Sequence, residues 1–333
     1  MSGAEAGGAF TVSLAEPTAR ERGRVGGKAA SLADMIGQGL RVPPGFAVTA
    51  DACRLFLSRD SGDVPEPVAE SVRAAYAALA ADVGVPDPAV AVRSSAVAED
   101  AADASFAGEF ESYLWVSGAD AVLDAIERCW ASLFSERAVE YQARHGIDPR
   151  DNPMAVAVHL MVDARVAGVM FTLNPVTGDP SRISIEASWG LGVAVVNGEV
   201  NPDNYLVDKI GLSVLDRHLG DKALRYGPPA GDGVELERIE VPEEERALPC
   251  LSDEEIAEIA RLGLQLHRAE GRAQDIEWAI DSRLAWPDSL FLLQRRPETV
   301  HSQKPKKLLA GSNPTEWVTR KLGAATTSTK VTK

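Results

Sequence analysis

Residues 273–299 read AQDIEWAIDSRLAWPDSLFLLQRRPET, and the reading of the whole chain starts from this stretch. DIEWAID and LFLLQRR form two strands joined by a turn. Strand alternation puts Asp275 and Glu277 on one face and Ile276 on the other, and Gln294 and Arg296 alternate in the same way. A hairpin therefore gathers these four polar groups. Two acids beside an amide oxygen suit a hard divalent cation, and a nearby guanidinium suits a phosphate. The same pattern also suits a solvated strand face laced with cross-strand ion pairs.

A chain of 333 residues that is 45% hydrophobic has room for one large domain or two ordinary ones. Its 49 acidic residues outnumber 34 basic ones, for a net charge of -15. That balance excludes nonspecific nucleic-acid and anionic-membrane partners, but not a nucleotide held by local cations and Mg2+. Cys53, Cys129 and Cys250 stand far apart in no metal spacing, as buried thiols of a reducing cytosol do. The opening MSGAEAGGAF has no basic stretch leading into an apolar core, and no run of 18 apolar residues occurs, so the expectation is a cytoplasmic protein.

Gly23–Lys28 (GRVGGK) precedes a helix predicted over 29–38; bare glycine N–H groups there can approach an anion, with Lys28 adding a charge, or the glycines form a plain turn. Helices are predicted over 51–57, 65–83, 121–134 and 136–145. A strand over 90–96 ends in Arg93-Ser94-Ser95, followed by a small polar segment, 99–108, suited to fold over a ligand. A second sheet is expected to begin at Ala155, and the far end of that strand, His159–Val162, could hydrogen-bond an adenine through backbone while Met161 packs on its face. A lone His among apolar residues is usually a satisfied core side chain. The run Gly190-Leu191-Gly192 is no dinucleotide fingerprint, because its third glycine is misplaced. Ser252 and Glu255 form a capping box for a helix stopped by Gly271. Residues 301–333 hold seven Lys/Arg and one acid, and read as a basic tail that is flexible or docks on a partner.

Seven blocks in order, GGKAASLADM, RVPPGFAVT, VRSSAVAEDAADASFAGEFESYL, VAGVMFTLNPVTGD, EASWGLG, GEVNPDNYLVDK and AQDIEWAID…LFLLQRRPET, resemble the N-terminal nucleotide-binding domain of phosphoenolpyruvate synthases, pyruvate phosphate dikinases and rifampicin phosphotransferases. The resemblance covers residues 10–300. It implies an α+β, two-lobed ATP-grasp fold with Mg-ATP in the cleft between lobes spanning 1–150 and 151–300. It implies that Lys28, Arg93 and Arg296 hold phosphates, with Ser105 and Gly108 in a lid over them. Glu277 and Gln294 would bind Mg2+ with Asp275 beside them, and His159, Leu160, Met161 and Val162 would hold adenine. ATP would give its β,γ-pyrophosphoryl group to a histidine on a mobile domain, leaving AMP, before a phosphoryl group moves on to a final acceptor.

Two positions depart from the family pattern: Val193 stands where an acid usually follows the glycine loop, and His159 where glutamine is common. The five histidines, His145, His159, His218, His267 and His301, sit in no acceptor motif. The expectation is therefore a split enzyme, in which a separate subunit carries the swivelling phosphohistidine and acceptor-substrate domains. Phenylphosphate synthase is divided in this way, which by analogy favours a phenol or aromatic alcohol as acceptor.

Overall fold

The computed structural model describes residues 10–59, 62–96, 100–101, 104–105, 112–144, 148, 150, 152–231, 235–299 and 301. The chain divides after Glu298, and every α-helix and β-strand among the described residues lies in the first unit. In order these are β1 (Thr11–Ser13), α1 (Arg22–Gly37), β2 (Gly45–Val48), α2 (Ala50–Leu57), α3 (Glu66–Val83), β3 (Val90–Ala96), β4 (Asp100–Ala101), β5 (Ala104–Ser105) and β6 (Ser112–Val116). Next come α4 (Ala119–Ala131), α5 (Glu136–Arg144), β7 (Met154–Leu160), β8 (Ala164–Phe171), β9 (Arg182–Trp189), α6 (Val193–Val196), β10 (Asp203–Asp208) and β11 (Val214–His218). The unit closes with β12 (Leu224–Pro229), β13 (Leu236–Glu240), α7 (Glu243–Arg246), α8 (Asp253–Glu270), β14 (Gln274–Asp281) and β15 (Leu290–Pro297).

Helices and largely antiparallel sheets are thus mixed along the chain, an α+β architecture. One sheet has the order β1-β2-β7-β3-β6 and a second has the order β11-β10-β9-β8-β14-β15. The expected start of the second sheet at Ala155 is corrected by the strand register. β7 pairs with β2 on one side and β3 on the other, at the centre of the first sheet. Its almost unbroken apolar sequence fits that position, since a central strand is covered on both faces. The crossing between sheets is the three-residue segment 161–163, after which β8 pairs with β9 and β14.

Each sheet has its own core. Trp130 of α4 is fully buried over the first sheet and donates its indole N–H to the Met154 carbonyl at 2.8 Å. Burying such a ring removes about 150–250 Å² from water, roughly 4–6 kcal/mol before opposing entropy. On the second sheet α8 packs Ile256, Ile259 and Leu266 against the strands. Its start is the expected capping box: Glu255 N–H donates to Ser252 Oγ at 3.2 Å and Ser252 N–H to Glu255 Oε2 at 2.8 Å. Gly271 ends the helix at φ 66°, as a left-handed cap. The three cysteines are free and buried, as expected.

Helix α1 joins the sheets. Val25, Ala29, Leu32 and Met35 belong to the second sheet's core, and Ser31 Oγ donates to the Arg295 carbonyl of β15 at 3.0 Å. The glycines do not simply precede this helix; they lie within it, at a kink where Gly26 adopts φ 74° and ψ 176°. Ser95 locks the kink, accepting from Ala29 N–H at 3.1 Å and donating to the Val25 carbonyl at 2.8 Å. A Cβ on Gly26 would lie 1.8 Å from the Ser95 carbonyl oxygen, at a φ that disfavours side chains. Gly26→Ala is therefore expected to destabilise the protein by roughly 2–4 kcal/mol, read as a lowered melting temperature. An unchanged melt would show that the kink can relax.

Candidate functional site

β3 ends beside the α1 kink, so Lys28 and Arg93 reach the same space. Lys28 Nζ donates to the Ser94 carbonyl at 2.9 Å. Arg93 Nη2 lies 2.7 Å from Gln294 Oε1 and 3.2 Å from Glu277 Oε2, across the gap between sheets. On the second sheet Asp275 pairs with Arg296 and Glu277 with Gln294 in antiparallel register, so the expected four-residue face exists. Asp275 and Arg296 turn to each other, with Arg296 Nε donating to Asp275 Oδ2 at 2.7 Å. Burial raises the pKa of Asp275, opposed by Arg296, and burial next to Asp275 raises that of Glu186.

Simple alternation breaks just after Glu277. The register passes from Glu277↔Gln294 to Trp278↔Leu292, leaving Leu293 as the extra residue of a β-bulge. The bulge turns the Leu293 carbonyl to Arg93 Nη1, at 3.4 Å, and brings Leu293 and Trp278 to the edge of the same space. Sequence alternation alone could not place these two residues.

A cavity of about 420 Å³ opens here, within the size range of small-molecule sites. Lys28, Arg93, His159, Met161, Val162, Glu277, Gln294 and Arg296 line it. Leu160 and Asp275 are not among its lining residues; Asp275 reaches the site only through its contact with Arg296. Of the expected lid residues, Ser105 is described only as backbone, pairing with Asp100, and Gly108 lies outside the described residues. The tail over 302–333 also lies outside them. Sequence reasoning missed Ala91, Leu114, Trp278 and Leu293 as lining residues; apolar side chains carry no chemical signal that separates a wall from a core.

The lining divides by chemistry. Ala91, Met161 and Leu191 pack together with Leu114 and Val193 as an apolar cluster, so the departure at Val193 adds to the apolar wall. The polar part sets three cations, Lys28, Arg93 and Arg296, against one carboxylate, Glu277, in a chain of net charge -15. Such a local excess of cations fits an anionic group. Among the described residues, Arg93 Nε, His159 Nε2 and Trp278 Nε1 are buried without a hydrogen-bond partner; Arg93 and His159 line the cavity from the first sheet, whereas the Trp278 ring packs in the second sheet's core. Unpaired buried polar atoms on Arg93 and His159, both on strands of the first sheet, suit a ligand that completes the bonding.

Glu277 Oε2 and Gln294 Oε1 both address one cationic nitrogen, so their oxygens converge on a point suited to a cation. Among the described residues no group of three His, Cys, Asp or Glu forms a metal cluster, so a cation here would draw further oxygens from its ligand or from water. No helix among the described residues is long and apolar enough to cross a membrane.

The chain matches the family described as pyruvate phosphate dikinase, AMP/ATP-binding domain, over residues 22–61 and 59–315. It is 41% identical over 351 residues to a probable phosphoenolpyruvate synthase of Staphylothermus marinus, covering 90% of this chain and 42% of that protein. The phosphoenolpyruvate synthase of Aeropyrum pernix is 39% identical over 339 residues, covering 85% of this chain and 41% of that one. That of Escherichia coli is 38% identical over 326 residues, covering 84% and 40%. The chain spans about two fifths of the length of these curated relatives. With its match extending through both sheets and the cavity between them, the chain belongs to the pyruvate phosphate dikinase AMP/ATP-binding domain family.

Proposed function

We propose that the two sheets are the lobes of an ATP-grasp fold, and that the cavity binds Mg-ATP for transfer of its β,γ-pyrophosphoryl group to a histidine. One observation carries this reading: an apolar slot adjoins a cluster of three cations whose arginine is shared with a carboxylate and an amide oxygen. The slot suits a base, and Lys28, Arg93 and Arg296 suit a triphosphate. Glu277 and Gln294 would hold Mg2+, which when bound neutralises phosphate charge. The protein's work is positioning and charge compensation.

The histidine nitrogen attacks the β-phosphorus, and the α,β-bridging oxygen leaves with AMP. Water then removes the terminal phosphoryl as phosphate, so that a phosphohistidine remains for the final acceptor. A histidine that carries a phosphoryl group between sites must move. His159 cannot, being on the central strand of a five-stranded sheet and 4% exposed. His267 is tied to Thr172, its Nδ1 lying 3.1 Å from Oγ1. As part of the same proposal, the acceptor histidine sits on a separate subunit with a swivelling domain, which also presents the final acceptor. The relatives' names make phosphoenolpyruvate formation the first chemistry to test and phosphorylation of a phenol or aromatic alcohol the second.

Incubation with ATP labelled at the β-phosphorus tests this. The expected result is AMP and phosphate, with acid-labile label on a co-purifying protein. Label on this polypeptide itself would overturn the separate subunit, and ADP as the main product would overturn pyrophosphoryl transfer.

A further inference from the structure

His159 ends the central strand β7, opposite Gly45 on β2 and Ala91 on β3. Sequence reasoning treated it as a core histidine whose backbone alone matters. Its ring is 4% exposed and forms part of the cavity wall, close to the apolar cluster of Ala91, Met161 and Leu191. Nδ1 lies 3.0 Å from the Leu160 carbonyl oxygen. A carbonyl oxygen can only accept, so Nδ1 carries the proton. Burial, reinforced by Arg93, brings the ring pKa down to about 4, so the imidazole is neutral. In that tautomer Nε2 is a bare lone pair, and it is buried without a partner among the described residues.

We propose that His159 Nε2 accepts a hydrogen bond from the exocyclic amino group of the bound purine, so that this side chain selects 6-aminopurine over 6-oxopurine nucleotides. The inference rests on the cavity being the nucleotide site. Adenine offers an N–H donor at its 6-position; guanine offers a carbonyl oxygen there. Against Nε2, that oxygen sets one lone pair against another and leaves both unsatisfied in a water-poor wall, a mismatch that rejects a ligand strongly. A glutamine at this position could turn its amide to present either end. The imidazole cannot, because the Leu160 carbonyl holds Nδ1 as the donor.

Calorimetric titration with ATP, GTP and purine riboside triphosphate, which lacks any 6-substituent, tests the assignment on wild type, His159→Leu and His159→Gln. Wild type is expected to bind ATP about 10–100-fold tighter than purine riboside triphosphate, and GTP weakest of the three. His159→Leu is expected to bring the first two within about twofold of each other, and His159→Gln to narrow the gap between ATP and GTP. The comparison of the three nucleotides on wild type decides the matter even if a variant fails to fold. Equal wild-type affinity for ATP and purine riboside triphosphate would overturn the role of His159 and leave the nucleotide site standing. Failure to bind any of the three would overturn the nucleotide site, and this inference with it.

Discussion

Glu277→Gln is expected to lower AMP formation by about 10³-fold while ATP still binds. Among the described residues, Glu277 is the one carboxylate lining the cavity. Its Oε2 and the Gln294 amide oxygen are both within 3.2 Å of Arg93 Nη2, so in the proposed reading a divalent cation and this guanidinium would compete for the same two oxygens. For Mg-ATP to bind, Arg93 must give up these oxygens and turn to phosphate. A phosphate group offers it two oxygens as a bidentate partner, so the exchange loses little. Without a nucleotide, Arg93 has nowhere better to go, and Mg2+ alone should bind weakly. A glutamine at 277 keeps a hydrogen-bond acceptor for Arg93 but lacks the charge that favours a hard divalent ion. The measurement is ATP affinity with Mg2+ against ATP affinity with chelator. Wild type should gain affinity from the metal and Glu277→Gln should not. A variant that makes AMP at the wild-type rate would remove Glu277 from the machinery.

The parts of this site that were legible in the sequence are those set by short-range geometry. Strand alternation put Asp275 with Glu277 and Gln294 with Arg296, and antiparallel pairing then made them neighbours. The capping box of α8 was legible for the same reason, since Ser252 and Glu255 are three residues apart. What sequence reasoning missed depends on partners distant along the chain. β7 was placed in the wrong sheet because an apolar strand does not name its neighbours, and its partners lie more than 50 residues away on both β2 and β3. The bulge at Leu293 follows from the fit between two strands, and no residue in LFLLQRR signals it. The importance of His159 Nε2 was hidden because it depends on which ring nitrogen meets a carbonyl.

The largest effect on stability is expected away from the cavity, at Asp203. This aspartate and Lys222 are both fully buried and form an ion pair. Asp203 also accepts from Gly220 N–H at 3.0 Å, Tyr205 O–H at 3.0 Å and Cys250 N–H at 2.8 Å. Lys222 Nζ donates in addition to the Gly220 carbonyl at 3.0 Å. Burial, and the negative charge of Asp203 beyond it, raise the pKa of the Cys250 thiol and the Tyr205 phenol, so both stay neutral donors. Asp203→Asn preserves the shape but leaves the ammonium uncompensated in the core, and is expected to destabilise by about 3–5 kcal/mol. Lys222→Met leaves a carboxylate with several N–H and O–H donors around it, so its loss should be smaller, about 2 kcal/mol. Combining the two leaves no buried charge and should be less damaging than Asp203→Asn alone, which urea unfolding of the four proteins would measure as a coupling. Strictly additive losses would show that the two charges do not depend on each other. The consequence reaches the cavity, because β12 begins two residues after Lys222 and the Tyr226 carbonyl on that strand accepts from the Leu191 N–H at 3.0 Å. Leu191 is part of the apolar wall proposed to take the base, so Asp203→Asn should weaken ATP binding even below its unfolding transition, while Gly26→Ala, on the other side of the cavity, should leave the Leu191 wall intact.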